Sequence, residues 1–156
     1  MTLATIGSEY HVGIITADLD RAMTEVGALL GVRWADVIDG VPAAALLAPG
    51  GQTGGLLRAV HSWGGPPCVE LLEGEPDSVW FTDQLATLHH HAYWADDIAG
   101  SVERLQRDGW SLEVTMPDGS GAPSSFAYLT KPGLARVQLT DASRRTDTLA
   151  RLGWTV

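Results

Sequence analysis

The chain is short of three things: cysteine, positive charge and long apolar runs. Cys68 is the single cysteine among 156 residues, so no internal disulfide forms and no cysteine-based zinc site can be assembled. Any metal must be held by histidine and oxygen ligands. Ten lysines and arginines stand against nineteen aspartates and glutamates, a net charge of −9. Nucleic acid phosphates and anionic membranes both require a cationic surface, so neither is an expected partner. No apolar run approaches the roughly 20 residues that span a bilayer. Met1 to Gly7 carries neither a basic segment nor a long apolar one, and a cytoplasmic location is expected.

What remains is a globular composition, 45% hydrophobic and 19% charged, on a chain long enough to bury a sizeable core as one domain over 1–156. Eighteen glycines and eight prolines predict many turns and short strands. Within that background one pattern occurs twice. Tyr10 to Leu19 reads Tyr-His-Val-Gly-Ile-Ile-Thr-Ala-Asp-Leu, and His89 to Ile98 reads His-His-His-Ala-Tyr-Trp-Ala-Asp-Asp-Ile. In each, a histidine (His11, His90) opens an apolar strand and an aspartate (Asp18, Asp97) follows seven residues later. Such repetition indicates two copies of one module, with the two histidines as candidates for a shared site.

Local signals agree with that reading. Asp18 and Asp97 are placed as N-caps for helices over about 19–30 and 98–107, stopped by Gly31 and Gly109. Leu19, Ala22, Met23, Val26, Leu29 and Leu30 recur at helical spacing and should face a sheet. Strands are predicted at 10–16, 33–38, 43–47, 56–62 and 68–72, and again at 90–96, 111–116, 125–130 and 136–140. The glycine-rich stretch 49–55 lacks the Gly-Lys-Ser/Thr ending of a phosphate loop and reads as a hairpin or mobile cover. Residues 73–84 read as an irregular acidic link. The halves, 9–75 and 88–141, each follow β-α-β-β-β, the first longer by an insertion in its middle, and the tail 142–156 should form a short helix near 147–152 that packs Leu149, Leu152 and Trp154 on the body.

Alternation along the strands decides which side chains can meet. Val69 and Leu71 must point into the core, as must Val137 and Leu139, so Glu70 and Gln138 face the other way. If the halves curl toward each other, His11, Glu70, His90 and Gln138 converge in one cavity. A carboxylate there is expensive to desolvate unless paired or metal-bound. The plainer alternative places Glu70 and Gln138 on a wet sheet face. Register favours His90 over His89 and His91, which alternation would turn to the opposite face. His61 could reach the cavity as an acid or base, and Trp94 should share its face with His90 and line the pocket.

His-Val-Gly-Ile-Ile-Thr-Ala-Asp-Leu at His11, Val-Glu-Leu-Leu-Glu at Val69, His-His-Ala-Tyr-Trp-Ala-Asp-Asp-Ile at His90 and Val-Gln-Leu-Thr at Val137 together resemble the four metal-ligand strands of the vicinal oxygen chelate superfamily. Its branches include glyoxalases, methylmalonyl-CoA epimerases, extradiol dioxygenases and fosfomycin or bleomycin resistance proteins. The likeness covers about 9–141 and is nearest the epimerase and glyoxalase branch. It implies an α+β fold in which two βαβββ modules form a curved mixed sheet around a central cavity. His11, Glu70, His90 and Gln138 are the implied ligands of a divalent metal. Zn, Ni, Co, Mn and Fe all suit that donor set.

The epimerases usually carry the amide in the first half and the carboxylate in the second. Here Glu70 and Gln138 have them exchanged, which moves any base beside the metal to the opposite side. The implied activity is that of a metal-dependent isomerase or lyase chelating two oxygens of a small carbonyl substrate and stabilising an enolate, with Glu70 or His61 taking the proton. An Fe(II) dioxygenase on His11, His90 and Glu70 is the alternative, as is a non-catalytic resistance protein binding an aromatic or polyketide-like ligand. A homodimer is expected.

Overall fold

The computed structural model describes residues 6–51, 53–65 and 68–154. Strand β1 (Glu9–Ile15) leads into helix α1 (Leu19–Leu30). The helix begins where the Asp18 carboxylate accepts from the Arg21 backbone N–H at 3.0 Å and ends at Gly31, whose φ of 67° is open to glycine. Then come β2 (Arg33–Trp34), β3 (Ile38–Asp39), β4 (Leu56–Trp63) and β5 (Val69–Gly74). The second half repeats the order with β6 (Thr87–Ala95), α2 (Ile98–Arg107), β7 (Ser111–Pro117), β8 (Pro123–Thr130) and β9 (Val137–Asp141). Asp97 caps α2 on the Gly100 N–H at 2.9 Å, the same device one module later.

Two expectations are corrected in the first half. The strand predicted at 33–38 is split into β2 and β3, because the exposed Asp36 and Val37 leave the sheet between them. The strand predicted at 43–47 is instead a 3₁₀ turn over Ala43–Ala45. Pro42 precedes three alanines that have no β-branch to favour a pleated backbone, and Leu47 makes an isolated bridge to Thr115. The Pro66-Pro67 pair of the turn before β5 lies outside the described residues.

The nine strands form one mixed sheet in the order β2-β4-β5-β1-β6-β9-β8-β7, with β3 added on β4. The halves meet edge to edge where β1 pairs antiparallel with β6. On either side of that seam a parallel pair follows, β1 with β5 and β6 with β9. The helices cover one face. Leu19, Ala22 and Val26 of α1 pack on Val60, Val69 and Leu71, and Ile98 and Val102 of α2 pack on Ala127, Leu129, Val137 and Leu139. Alternation therefore sends Ala59, His61, Glu70, Leu72, Phe126, Tyr128, Gln138 and Thr140 to the other face, and all of them line one cavity of about 260 Å³.

The connection at 73–84, expected as a mere link, folds over that cavity. Trp80 is 1% exposed and its indole N–H donates to the Tyr128 hydroxyl at 3.0 Å. The tail forms α3 (Arg145–Arg151). Leu149 and Leu152 are buried, Trp154 is half-buried, and the Gly64 N–H donates to the Leu152 carbonyl at 2.8 Å. Among the described residues no helix is long and apolar enough to cross a membrane.

Candidate metal centre

Backbone register brings the candidate residues together. Across four neighbouring strands one row runs His61, Glu70, Gly13, His90, each paired with the next. The adjacent row runs Tyr128, Gln138, Ala92, His11 in the same way. The two rows are related by a local twofold at the β1–β6 seam, which exchanges His11 with His90, Glu70 with Gln138, Gly13 with Ala92 and His61 with Tyr128. Tyr128 thus holds, in the second half, the position of His61 in the first.

Three donor atoms converge. His11 Nε2 lies 2.9 Å from His90 Nε2 and 3.2 Å from Glu70 Oε2, and His90 Nε2 lies 3.5 Å from that same oxygen. His11 and His90 are 2% and 1% exposed and Glu70 is 8% exposed. Glu70 Oε2 is buried and accepts no hydrogen bond from its neighbours. Atoms bound to one ion at about 2.1 Å stand about 3.0–3.4 Å apart in octahedral or tetrahedral geometry, and these separations match. A buried carboxylate oxygen that faces two imidazole nitrogens without bonding to them is arranged for a common centre. The cluster therefore fits a divalent metal. Gln138 lines the cavity with Glu70; its amide N–H donates to Thr140 Oγ1 at 2.8 Å, and its Oε1 is a buried acceptor without a partner.

Two β-bulges flank the ligands. Between the Glu9–Tyr93 and His11–Ala92 pairs Tyr10 is an extra residue, and between the His90–Gly13 and Leu88–Ile14 pairs His89 is an extra residue. Each bulge immediately precedes a candidate ligand and sets the neighbouring ring against it: Tyr10 and His11 at 4.4 Å, His89 and His90 at 5.1 Å between centroids. The expectation that His89 would point to the opposite face is thereby corrected, since a bulge interrupts the alternation on which it relied. His91 follows the alternation and pairs with Glu9 at 2.6 Å near the surface.

The hydrogen bonds of His89 determine a tautomer. Its Nε2 lies 2.8 Å from the Val79 carbonyl, which can only accept, so Nε2 carries the proton. Burial, reinforced by the charge of Arg136, lowers the His89 pKa to about 3, so the ring is neutral and its Nδ1 accepts. The partner at 2.8 Å is His90 Nδ1, which must donate. His90 Nε2 is left with its lone pair, aimed at the cluster.

Burial is also the main reason that His61 and His90 fall to about 4, Glu70 pulling the other way in both. Glu70 itself is pushed upward by burial, but the attraction of His11 and His61 and the contacts with His11 and His90 outweigh it and hold the carboxyl well below its usual range. The resting arrangement is an ionised Glu70 beside neutral His61 and His90. His61 Nε2 is 3.3 Å from Glu70 Oε1, on the far side of the carboxylate from the triad. Burial raises the Tyr128 hydroxyl well above its ordinary value, so it stays protonated. Trp80 already donates to its oxygen, so its own O–H is free to point into the cavity.

The structure also places what sequence reasoning assigned elsewhere. Trp94 is 3% exposed and stacks on Tyr10 at 3.9 Å; Tyr10, not Trp94, is the ring on the cavity wall. Trp80, Phe126 and Tyr128 complete the aromatic lining. Arg144 and Arg151 reach the same cavity from the tail. No signal in the repeat pointed to them, because the tail lies outside it.

A model of the family described as Glyoxalase/Bleomycin resistance protein/Dioxygenase superfamily matches residues 10–128. Among curated proteins none matches the chain in sequence. Methylmalonyl-CoA epimerase from Mycobacterium tuberculosis superposes with a TM-score of 0.59 at 17% identity, covering 95% of this chain and 96% of the other. A single-residue variant of Streptomyces coelicolor methylmalonyl-CoA epimerase, solved with 2-nitronate-propionyl-CoA, gives 0.57 at 17% identity over 89% and 99%. A hypothetical protein from Bacillus halodurans C-125 gives 0.54 at 15% identity over 86% and 93%. At these identities the likeness is one of fold.

Proposed function

Since the chain belongs to the glyoxalase/bleomycin resistance protein/dioxygenase superfamily, we propose that it is a metal-dependent isomerase or lyase acting on a small carbonyl substrate. The observation that carries the reading is the buried triad of His11, Glu70 and His90, mutually 2.9–3.5 Å apart, whose Glu70 reaches the wall of an aromatic-lined cavity. These three residues, with Gln138 as a fourth donor, would hold the ion. A divalent metal held there would supply Lewis acidity suited to a carbonyl substrate that loses an α-proton.

The chain's own side chains divide the remaining work. Glu70 commits Oε2 to the triad, so His61, neutral and 3.3 Å from Oε1, is the base that accepts the proton. The carboxylate beside it stabilises the imidazolium that results. Tyr128, at the pseudo-equivalent position, offers its O–H to oxygen on the opposite side. One face thus takes a proton while the other donates a hydrogen bond, an asymmetry that follows from His61 and Tyr128 standing at pseudo-equivalent positions. Trp80 and Phe126 keep water from the reacting carbon.

The test is metal-dependent exchange of substrate α-hydrogen in D₂O, run on a panel of small α-protonated ketoacids and thioesters, alongside elemental analysis of untagged protein. Stoichiometric metal and exchange that His61→Gln abolishes with metal retained would support the reading. Protein that binds no divalent metal would overturn it. Two histidines and one carboxylate also form the facial set of Fe(II) oxygenases, so turnover that requires both iron and oxygen, and stops under anaerobic conditions, would replace isomerisation with oxygenation.

A further inference from the structure

A second cavity, of about 430 Å³, adjoins the first and is lined by Arg33, Trp34, Asp36, Trp63 and Arg151 among others. The two share Ile38, His61 and Arg151 on their walls. His61 is therefore a partition between the triad and an annex.

Two arginines line the annex. In this chain of net charge −9 three of the nine arginines are held in ion pairs among the described residues. Arg21 pairs with Glu25, Arg58 with Asp20 and Glu73, and Arg136 with Glu113. Among the described residues Arg33 and Arg151 make no ion pair, although both line this one cavity. Asp36 is the acidic residue on the same wall, and it lies beyond pairing distance of either. Arg144, likewise without an ion pair among the described residues, adds a third cation on the triad side.

The fold holds Arg151 there. Leu149 and Leu152 bury α3 against the body, and the Leu152 carbonyl is tied to Gly64. Gly153, at φ 71°, passes so close beneath Trp63 that a Cβ would lie 2.3 Å from the indole ring. Trp63 and the tail are fitted to each other, and Arg151 follows from that fit. Trp34 is fixed by donating its indole N–H to the Met23 carbonyl at 2.8 Å. Two tryptophans and two unpaired guanidinium groups thus face a space that shares its His61 wall with the triad-side cavity.

We propose that this annex binds an anionic arm of the substrate, a carboxylate or a phosphate carried on a flat or extended group, with Arg151 and Arg33 as its cationic contacts and Trp34 and Trp63 as its walls. The assignment rests on the reading above in taking the triad as the reacting centre. Anion binding itself does not require it. Planar guanidinium groups suit both carboxylate and phosphate, and aromatic walls suit the apolar stem. The substrate would then lie past His61, its carbonyl at the triad and its charge in the annex.

The test is binding, read by tryptophan fluorescence on the full chain, with benzoate, phenyl phosphate and neutral benzamide as probes. Wild type, Arg151→Gln, Arg33→Gln and His11→Ala are compared, with circular dichroism as the check on folding. One or both anions should bind about 10-fold or more tightly than benzamide, a charge-assisted contact of ordinary strength. Whichever anion is favoured identifies the arm as carboxylate or phosphate. Each arginine variant should narrow the gap, and raised salt should weaken the anions selectively. His11→Ala should leave the preference intact, because the annex lies apart from the triad. Equal binding of benzamide and the anions, no saturable binding of any probe, or a preference unmoved in both arginine variants would overturn the proposal. Loss of the preference in His11→Ala would move the anion to the triad and also overturn it. Absence of metal with the preference retained would remove the catalytic reading and leave the annex standing.

Discussion

The imidazole of His90 lies on the bare backbone of Gly13: a Cβ built at Gly13 would fall 2.0 Å from His90 Cε1 and 2.5 Å from its Nε2. Gly13 is paired with Glu70 on one side and with His90 on the other. The gap in its side chain is the floor over which the two donors approach. Its twofold equivalent, Ala92, carries a small side chain and lies opposite His11.

Gly13→Ala should therefore push the His90 ring off the triad. Overpacking at a buried site costs about 1–3 kcal/mol, and the moved ligand should weaken metal binding by roughly 100-fold, the upper end of losses from disturbed ligand orientation. Isothermal titration with Zn²⁺ or Co²⁺ and a urea melt would measure both. Unchanged metal affinity would show that His90 is not held by this contact.

His89 is expected to act through His90. Replacing it by Leu removes the acceptor that keeps the proton on His90 Nδ1, and metal affinity should fall by about 10–100-fold. His89→Gln retains an acceptor and should recover part of the loss. Long-range ¹⁵N correlation spectra of the metal-free protein should show His90 protonated at Nδ1 in wild type and mixed in His89→Leu. A wild-type His90 protonated at Nε2 would contradict the assignment.

Exchanging charge across the twofold tests Gln138 as a fourth donor. Glu70→Gln should strongly weaken metal binding while the fold survives, because the amide has the shape of the carboxylate without its charge. The double variant Glu70→Gln with Gln138→Glu should regain binding, since the twofold puts the restored carboxylate on the other side of the same histidines. A double variant as poor as the single one would separate Gln138 from the centre.

Acid should destabilise the metal-free protein early. His61, His89 and His90 have folded values of about 4, 3 and 4, below the 6.5 of the unfolded chain. Unfolding therefore takes up protons, and stability is complete above about pH 6.5 and lost as pH falls toward 3. Glu70, also depressed, acts in the same direction at the acid end. Urea midpoints measured in chelator between pH 7.5 and 4.5 should fall steadily, with a shallower slope in His89→Leu. A midpoint that does not change over that range would contradict neutral burial of these rings.

Much of this was legible because it depends on short-range rules. The period-two alternation around Glu70 and Gln138 needs only neighbouring residues, and it placed both on the cavity face. The His-to-Asp repeat needs only spacing, and it located both strand–helix units and both N-caps. Where the reading was wrong, a local exception had intervened. Pro42 and three alanines formed a 3₁₀ turn in place of a strand, and a bulge turned His89 toward His90 against the alternation.

The amino-acid order alone thus determined the paired modules, the helix-capping aspartates, the exclusion of an internal disulfide and the four polar residues with a common facing. Tertiary structure alone decided how those residues meet. The antiparallel β1–β6 seam creates the twofold that makes Tyr128 the counterpart of His61, the Gly13 gap seats His90, and the docked tail carries Arg151 to the annex. Those relationships join strands from distant parts of the chain, and they depend on which backbones pair and in what register, which no local pattern encodes.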